Sequence, residues 1–264
     1  MRIIAIDWSG AESGAARRIW LAEACRGSLV RLECGRTREQ VAEFLVAEAQ
    51  RTPNMVVGLD FAFGFPAWFA AERGVADGPA LWALAAREGD AWLRVCAPPF
   101  WGRPGKRRTE PDASRRYRRT EREVPRVAGI APKSVFQVGG AGAVGTGSVR
   151  GMPLLARLHA AGWRVWPFTD GDGPAAPTAI EIYPRLLTGA VNKSGFAQRA
   201  EYLRHRFPRL GTEPGVIASS SEDAFDAAVS ALVMGEHVAA LRALPVAGDA
   251  VERVEGAIWW PREK

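Results

Sequence analysis

The chain opens with Met1-Arg-Ile-Ile-Ala-Ile-Asp7-Trp-Ser-Gly10, the stretch that decides its fold. Arg2 to Ile6 form a short apolar run, rich in β-branched residues and ended by a Ser-Gly turn signal, which predicts a buried strand. Asp7 follows that strand directly. Because an unpaired buried carboxylate costs several kcal/mol, an acid here is poorly placed for packing and well placed to hold a divalent cation at the edge of a sheet. An Asp7 that only starts a turn, or pairs with an arginine, is the competing interpretation.

The composition limits the class of protein. With 264 residues, 47% of them hydrophobic, the chain can bury one large core or two modest ones, and we treat residues 1–264 as a single domain. It has no signal-peptide pattern and no run of about 18 apolar residues, so we expect a soluble, cytoplasmic protein with no membrane partner. Three cysteines and three scattered histidines lack ligand spacing, which argues against a His-based zinc site. The sequence does not predict the oligomeric state.

Strand and helix patterns alternate after the opening strand, which indicates an α/β fold around a mixed sheet. Thr37 is the expected cap of the first helix. The predicted strands are Arg18 to Ala24, Ser28 to Cys34, Met55 to Leu59, Ser134 to Val138, Trp163 to Phe168, Thr178 to Pro184 and an edge strand in Gly256 to Pro261; the predicted helices are Arg38 to Gln50, Gly78 to Val95, one from Pro153, Lys193 to Phe207 and Ser221 to Leu244.

A basic, arginine-rich insertion at residues 97–133 carries the excess charge of the chain. Ten basic and four acidic residues lie between Arg103 and Arg126, an excess of six that equals the net charge of +6. Such a segment is typical of contact with a polyanion, and a solvated loop is the alternative. We therefore expect nucleic acid as a partner. The candidate phosphate-binding residues are Arg107, Arg108, Arg115, Arg116, Arg118, Arg119 and Lys133.

A glycine-rich loop follows at residues 139–147. It formally matches the dinucleotide fingerprint G-x-G-x-x-G, but that fingerprint requires a helix that begins inside the glycines. The helix is expected to begin only near Pro153, because proline favours the first helical turn. We therefore expect a flexible loop that lines a cleft and offers backbone N–H groups to an anion.

Acidic residues recur at positions where they can converge. Asp60 ends the Met55 to Leu59 strand, Glu181 lies on a later strand, and Asp223 and Asp226 fall one turn apart on one helix face. Carboxylates that converge cannot all be ionised without cations between them. Two Mg²⁺ or Mn²⁺ ions about 4 Å apart would relieve the repulsion and create a site for phosphoryl transfer. The candidate catalytic residues are Asp7, Asp60, Glu181, Asp223 and Asp226.

Five short motifs extend this interpretation across the chain. They resemble the successive motifs of the domain-of-unknown-function 429 family, which is described as predicted nucleases of the ribonuclease H-like, Holliday-junction-resolvase type. The motifs are Asp7-Trp-Ser-Gly10, Gly58-Leu-Asp60-Phe-Ala-Phe-Gly-Phe-Pro66, Glu181-Ile-Tyr-Pro184, Asp223-Ala-Phe-Asp-Ala-Ala228 and Glu255-Gly-Ala-Ile-Trp-Trp-Pro261.

The resemblance implies a ribonuclease H-like, five-stranded sheet of order 3-2-1-4-5 flanked by helices. It also implies metal ligands at Asp7, Asp60, Asp223 and Asp226, with Glu181 as an accessory acid. One position departs from the pattern, because resolvase-type sites usually carry glutamate where this chain has the shorter Asp60.

Three functions compete at this point. The first is a divalent-metal-dependent nuclease that cleaves phosphodiester bonds of nucleic acid. The second is an actin-like-fold phosphotransferase, based on the Asp7-Trp-Ser-Gly10 turn and the 139–147 glycines. The third is a catalytically silent protein on the same fold that binds nucleic acid or a partner through the basic insertion.

Overall fold

The computed structural model describes residues 1–173 and 176–262. Seven strands in this part of the chain form one sheet, and two of them are only two residues long. The strands are β1 Arg2–Asp7, β2 Trp20–Cys25, β3 Ser28–Cys34, β4 Met55–Leu59, β5 Arg164–Val165, β6 Thr178–Ile182 and β7 Ile258–Trp259.

Helices cover both faces of the sheet. Among the described residues, none of them is long and apolar enough to cross a lipid bilayer. The α-helices are α1 Arg38–Arg51, α2 Ala67–Glu72, α3 Gly78–Val95, α4 Ala113–Arg116, α5 Arg119–Glu123, α6 Gly145–Ala160, α7 Pro184–Thr188, α8 Phe196–Arg206, α9 Thr212–Ser219, α10 Glu222–Glu236, α11 Val238–Arg242 and α12 Ala250–Glu255.

The strand order is β3-β2-β1-β4-β6-β5, and β7 also pairs with β6. β1, β2 and β3 form an antiparallel meander, whereas β4, β5, β6 and β7 all join through parallel pairings. β5 pairs with the start of β6 and β7 with its end, so together they occupy its outer edge. The carboxyl ends of β1, β4 and β6 therefore meet at one edge of the sheet.

The sheet thus has seven strands, not the five that the resemblance implies. The two additional strands, β5 and β7, lie within the predicted strands Trp163 to Phe168 and Gly256 to Pro261 but are only two residues long. Strands β3 and β4 and helix α3 have the predicted bounds. Thr37 caps α1 as predicted, through a reciprocal capping box with Gln40.

Two expectations around the glycine loop are wrong. Residues 134–138 form no strand and make only an isolated bridge between Gln137 and Trp101. α6 begins at Gly145, eight residues before Pro153, which lies inside the helix. A proline inside a helix costs about 3 kcal/mol, and burial of Val149 and Leu155 in the core beside α3 offsets that cost. The helix does begin within the glycines, but no strand precedes them.

Side chains of each strand alternate between two cores. Ile4 and Ile6 of β1 pack on the face covered by α1, α3 and α6, whereas Ile3 and Ala5 pack on the face covered by α7 to α10. β4 continues this alternation, with Leu59 facing the α6 side. An acid at the end of β1 or β4 therefore faces α10.

The turn after β1 packs directly on the start of α6. The Trp8 indole N–H donates to the Gly147 carbonyl at 3.1 Å, and Arg150 donates to the Gly10 carbonyl at 2.6 Å. A Cβ atom at Gly10 would lie 2.4 Å from the Gly147 nitrogen, so the two backbones approach too closely for any side chain.

We predict that Gly10→Ala lowers the free energy of unfolding by about 1–3 kcal/mol, because the new methyl group pushes β1 away from α6. Gly147→Ala is the matched control. Its Cβ would have no neighbour closer than 3.8 Å, and alanine favours the helix by up to about 1 kcal/mol. Urea unfolding followed by tryptophan fluorescence measures both variants. A Gly10→Ala protein as stable as wild type would contradict the close packing.

Candidate active site

A cleft of about 670 Å³ opens at the carboxyl ends of β1, β4 and β6. Three aspartates, Asp7, Asp60 and Asp223, line it. The glycine loop and the first turn of α6 also line it, through Val144, Thr146 and Gly147, as the sequence predicts for that loop. The cleft therefore brings acidic side chains and a helix N-terminus into one space.

The register of the sheet places Asp7 beside Asp60. Ile6 is opposite Leu59 in the parallel pair of β1 and β4, and the Asp60 N–H donates to the Ile6 carbonyl at 3.1 Å. By the alternation of both strands, the two carboxylates face α10. Their approach thus follows from strand pairing and not from any attraction between the side chains.

α10 supplies the other two aspartates. Ser221 caps its start by accepting the Ala224 N–H at 3.0 Å, which sets the rotation of the first turns. Asp226 accepts a hydrogen bond from the Lys193 ammonium at 2.5 Å on Oδ2. Its Oδ1 is buried and has no hydrogen-bond partner among the described residues. That oxygen is an acceptor left free inside the site.

Burial raises the pKa of all four aspartates, and repulsion from the other aspartates adds to the shift at Asp7 and Asp60. Burial raises the pKa of Asp60 to about 8, with repulsion from Asp226 as the next cause. Burial also raises the pKa of Asp7 well above its ordinary value, and Asp60, Asp226 and Asp223 add to the effect. The pKa of Asp226 is raised by burial and partly restored by Lys193. The four carboxylates therefore share one electrostatic environment, in which Lys193 opposes the rise in pKa without cancelling it.

Glu181 lines the same cleft but faces the other side of the sheet. Its neighbours Ile180 and Ile182 pack on the α10 side, so Glu181 points the opposite way. Arg118 binds both carboxylate oxygens, at 2.8 and 2.5 Å, and the Phe63 N–H donates to one of them at 2.9 Å. The expected catalytic role of Glu181 is therefore not supported, because its oxygens are already occupied.

Arg118 lies in the protein interior, with 1% of its surface exposed. Besides Glu181 it contacts Glu121 at 3.0 Å and the Glu255 carbonyl at 2.9 Å. Burial opposes the charge on Arg118, but the two carboxylates outweigh it and hold the pKa of the guanidinium above its usual value. The predicted contact of Arg118 with nucleic acid does not fit this placement, because a buried, paired guanidinium cannot reach a phosphate.

The other predicted phosphate-binding residues divide into two groups. Three are held by neighbours: Arg115 pairs with Glu110 at 2.9 Å and lies over the Trp68 ring, Arg116 donates to backbone carbonyls, and Arg119 pairs with Asp249 at 2.5 Å. Three are exposed and form no ion pair within the described residues, namely Arg107, Arg108 and Lys133. Lys133 also lines the carboxylate cleft.

Lys193 is the site residue that sequence reasoning missed. It lies in the loop before α8, as a single lysine between Asn192 and Ser194. Nothing in that pattern distinguishes it from a solvated lysine. Arg199 holds the loop by donating to the Ser219 carbonyl at 2.9 Å and to the Lys193 carbonyl.

The donor set fits a hard divalent cation in chemistry, although the described geometry does not form a closed metal site. Carboxylate oxygens are the ligands that Mg²⁺ and Mn²⁺ prefer, and Asp226 Oδ1 is an unused buried acceptor. Within residues 1–173 and 176–262, however, no group of three or more Asp, Glu, His or Cys side chains is arranged to hold a metal ion. The ion pair of Lys193 with Asp226 occupies part of the space where such a group would form.

These features define a mixed α/β protein with a carboxylate cleft at the carboxyl ends of parallel strands. Comparison of the chain with protein-family models, with curated proteins and with solved structures gives no significant match. The family resemblance of the short motifs therefore stays a prediction.

The buried Arg118 network generates a prediction about pH. Burial raises the pKa of Glu121 from 4.5 to about 7, although Arg118 opposes the shift. The folded chain therefore keeps a proton that the unfolded chain has lost, so the free energy of unfolding falls as pH rises between those values. Glu121→Gln should match wild type near pH 5 and exceed it by about 3 kcal/mol near pH 8.5.

Urea unfolding at the two pH values measures this difference. Glu123→Gln, an exposed change on the same helix, is the matched control and should follow wild type at both. A Glu121→Gln protein that is less stable than wild type at high pH would contradict the raised pKa of Glu121 in the folded chain.

Proposed function

We propose that this protein is a divalent-metal-dependent nuclease that hydrolyses phosphodiester bonds of nucleic acid. One observation carries the proposal: burial raises the pKa of Asp7, Asp60, Asp223 and Asp226, which come from three separate segments of the chain, and repulsion from the other aspartates adds to the effect at Asp7 and Asp60. Strongly perturbed carboxyl groups that line a cleft are typical of a functional site.

In this proposal the four aspartates hold Mg²⁺ or Mn²⁺, and two ions are expected. A divalent ion at such a site activates water and stabilises the leaving oxygen in phosphodiester hydrolysis. Asp7 and Asp60 offer oxygens from the sheet, and the free Oδ1 of Asp226 offers one from α10. Their burial keeps bulk water away, which strengthens every charge interaction in the cleft.

The start of α6 completes the proposed site by facing the phosphate. Among the described residues, the N–H groups of Thr146 and Gly147 have no hydrogen-bond acceptor, whereas that of Gly145 donates to Gln137 at 2.9 Å. Free N–H groups and the helix dipole favour an anion at this position. A phosphate group between α6 and the aspartates would have its charge balanced by the helix N-terminus on one side and, on the other, by the divalent ions that the aspartates would hold.

We further propose that the sheet is a variant of the ribonuclease H-like sheet, in keeping with the resemblance to the domain-of-unknown-function 429 family. The five strands of five or more residues follow the order β3-β2-β1-β4-β6, which supports this proposal. The two short strands would then be additions at the outer edge of β6.

The second candidate is the actin-like phosphotransferase. It is favoured by the close packing of the Trp8–Gly10 turn on the start of α6, since both line the same cleft. A phosphotransferase would bind a nucleoside triphosphate in that cleft and gain thermal stability from it. No shift of the unfolding temperature with ATP or GTP and Mg²⁺ would remove this candidate.

The nuclease proposal predicts Mn²⁺-dependent cleavage of DNA or RNA that is lost in Asp7→Asn. Removal of an outer-shell partner of a metal ligand costs roughly 10- to 100-fold, so the loss of a ligand should cost about 100-fold or more. Asp170→Asn is the matched control, because it makes the same change at an exposed position that lines a separate cavity. Gel assays with labelled single-stranded and branched substrates measure both variants.

Two results would count against the proposal. Equal cleavage by wild type and Asp7→Asn would assign the activity to a contaminant. Binding of nucleic acid in EDTA, without turnover under Mg²⁺ or Mn²⁺, would favour the catalytically silent binding protein.

Lys193 predicts how the site responds to metal. Because its ammonium pairs with Asp226, it competes with a cation for that carboxylate. We expect Lys193→Met to bind Mn²⁺ at least tenfold more tightly, because two like unit charges about 4 Å apart repel by about 4 kcal/mol at an effective dielectric constant of about 20. Without metal the variant should unfold at a lower temperature, because Asp226 loses its partner.

Calorimetric titration of EDTA-treated protein with Mn²⁺ measures the affinity and counts the ions. Lys133→Met is the matched control, since it removes an exposed positive charge from the same cleft and solvent screens its effect. A Lys193→Met protein that binds Mn²⁺ no more tightly than wild type would separate Lys193 from the metal site.

A further inference from the structure

A second cleft, of about 710 Å³, shares Trp8 with the carboxylate cleft and is rich in arginine. It lies between α1, α3 and α6. We call it the arginine cleft and define it by five side chains from four segments of the chain: Arg38, Arg94, Arg103, Arg150 and Arg157.

Two of these arginines hold the turn that separates the clefts. Arg38 donates to the Ser9 carbonyl at 2.8 Å, and Arg150 donates to the Gly10 carbonyl at 2.6 Å. Carbonyl groups satisfy donors but do not cancel charge. Arg150 approaches an acid only at 3.7 Å, from the highly exposed Asp90. Both guanidinium groups therefore keep most of their positive charge.

The other three arginines have no acidic partner. Within the described residues, the side chains of Arg94, Arg103 and Arg157 form no ion pair and no hydrogen bond, and the Nε of Arg103 is buried without an acceptor. Burial and the charge of Arg150 lower the pKa of Arg38, a sign that positive charge is crowded here. Three acids line the cleft as well, but they are exposed: Glu12, Glu39 and Asp90.

Unpaired guanidinium groups in an open cleft suit phosphate groups, because their planar donors match phosphate oxygens. Five arginines from four segments, three of them without a partner among the described residues, suit several phosphates in a row better than one. A positively charged groove that tracks the backbone is the usual feature of single-strand binding. The Trp8–Ala11 turn connects this groove to the aspartates.

We propose that the arginine cleft binds the phosphodiester backbone of a nucleic-acid strand next to the bond that is cut, an inference that rests on the proposed nuclease function. The strand runs from the arginine cleft across the turn after β1 to the aspartates. The main contact with nucleic acid then moves from the 97–133 insertion, where Arg115, Arg118 and Arg119 are paired internally, to helices α3 and α6.

The test compares two double variants that each remove two positive charges. Arg94→Gln/Arg157→Gln changes two exposed residues of the arginine cleft, and Arg107→Gln/Arg108→Gln changes two exposed residues of the insertion. Binding of a fluorescein-labelled single-stranded oligonucleotide is measured by anisotropy in EDTA at several salt concentrations. Circular dichroism and thermal unfolding verify that both variants are folded.

We expect the cleft variant to bind about tenfold more weakly, with a slope of log K against log salt that is shallower by about 1.4, or about 0.7 for each lost phosphate contact. The insertion variant should bind within about twofold of wild type. Equal weakening of both variants, an unchanged cleft variant, or no binding by wild type would overturn the proposal.

Failure of this inference is distinct from failure of the nuclease proposal, because binding in EDTA involves no cleavage. Binding that depends on Arg94 and Arg157, without Mn²⁺-dependent turnover, would leave the arginine cleft in place and remove the nuclease. If the cleft variant cleaves nucleic acid at the wild-type rate and binds it with wild-type affinity, the nuclease proposal stands and the proposed role of the arginine cleft fails.

Discussion

Parallel pairing of β1 with β4 brings Asp7 and Asp60 together, although repulsion from Asp60 raises the pKa of Asp7. The free energy for this placement comes from the two cores on either side of the sheet. The remainder of the site compensates for the repulsion. Lys193 neutralises part of it at Asp226, raised pKa values let protons neutralise more, and we propose that divalent ions complete the balance. Destabilising placements of this kind are typical of functional sites, where local rules are broken for chemistry.

The arginines of the chain fall into two groups that their positions in the sequence do not distinguish. One group stabilises the fold, and the other remains available to a polyanion. Within the basic insertion, Arg118 joins α5 to β6 and to the last residue of α12, and the carboxylates of Glu181 and Glu121 compensate for the burial of its charge. Glu255 supports the same region, since its carboxylate accepts the first N–H groups of α2 and α5. Four of the five arginines of the arginine cleft come from helices α1, α3 and α6, whose sequences show no charge run, and the fifth, Arg103, comes from the basic insertion.

Much of the fold could be predicted from local patterns. Apolar runs identified β1, β3 and β4, and a threonine cap marked α1. The failures have physical causes. β5 and β7 lie within predicted strands but are shorter than predicted, at two residues each. α6 begins eight residues before Pro153, because burial of its side chains in the core outweighs the preference of proline for the first helical turn. The pairing of Lys193 with Asp226 is invisible in sequence, since one lysine in a loop resembles any other.

By itself, the sequence determined that strands end on Asp7 and Asp60 and that Asp223 and Asp226 share a helix face, because strand and helix periods are local properties of the backbone. Only the tertiary structure decided which acids meet. Because side chains alternate along β6, Glu181 points away from α10 and is bound by Arg118. Strand pairing and helix packing bring α10 to the face that Asp7 and Asp60 share. Long-range contacts between segments determine which acids meet, and no single segment of the chain contains that information.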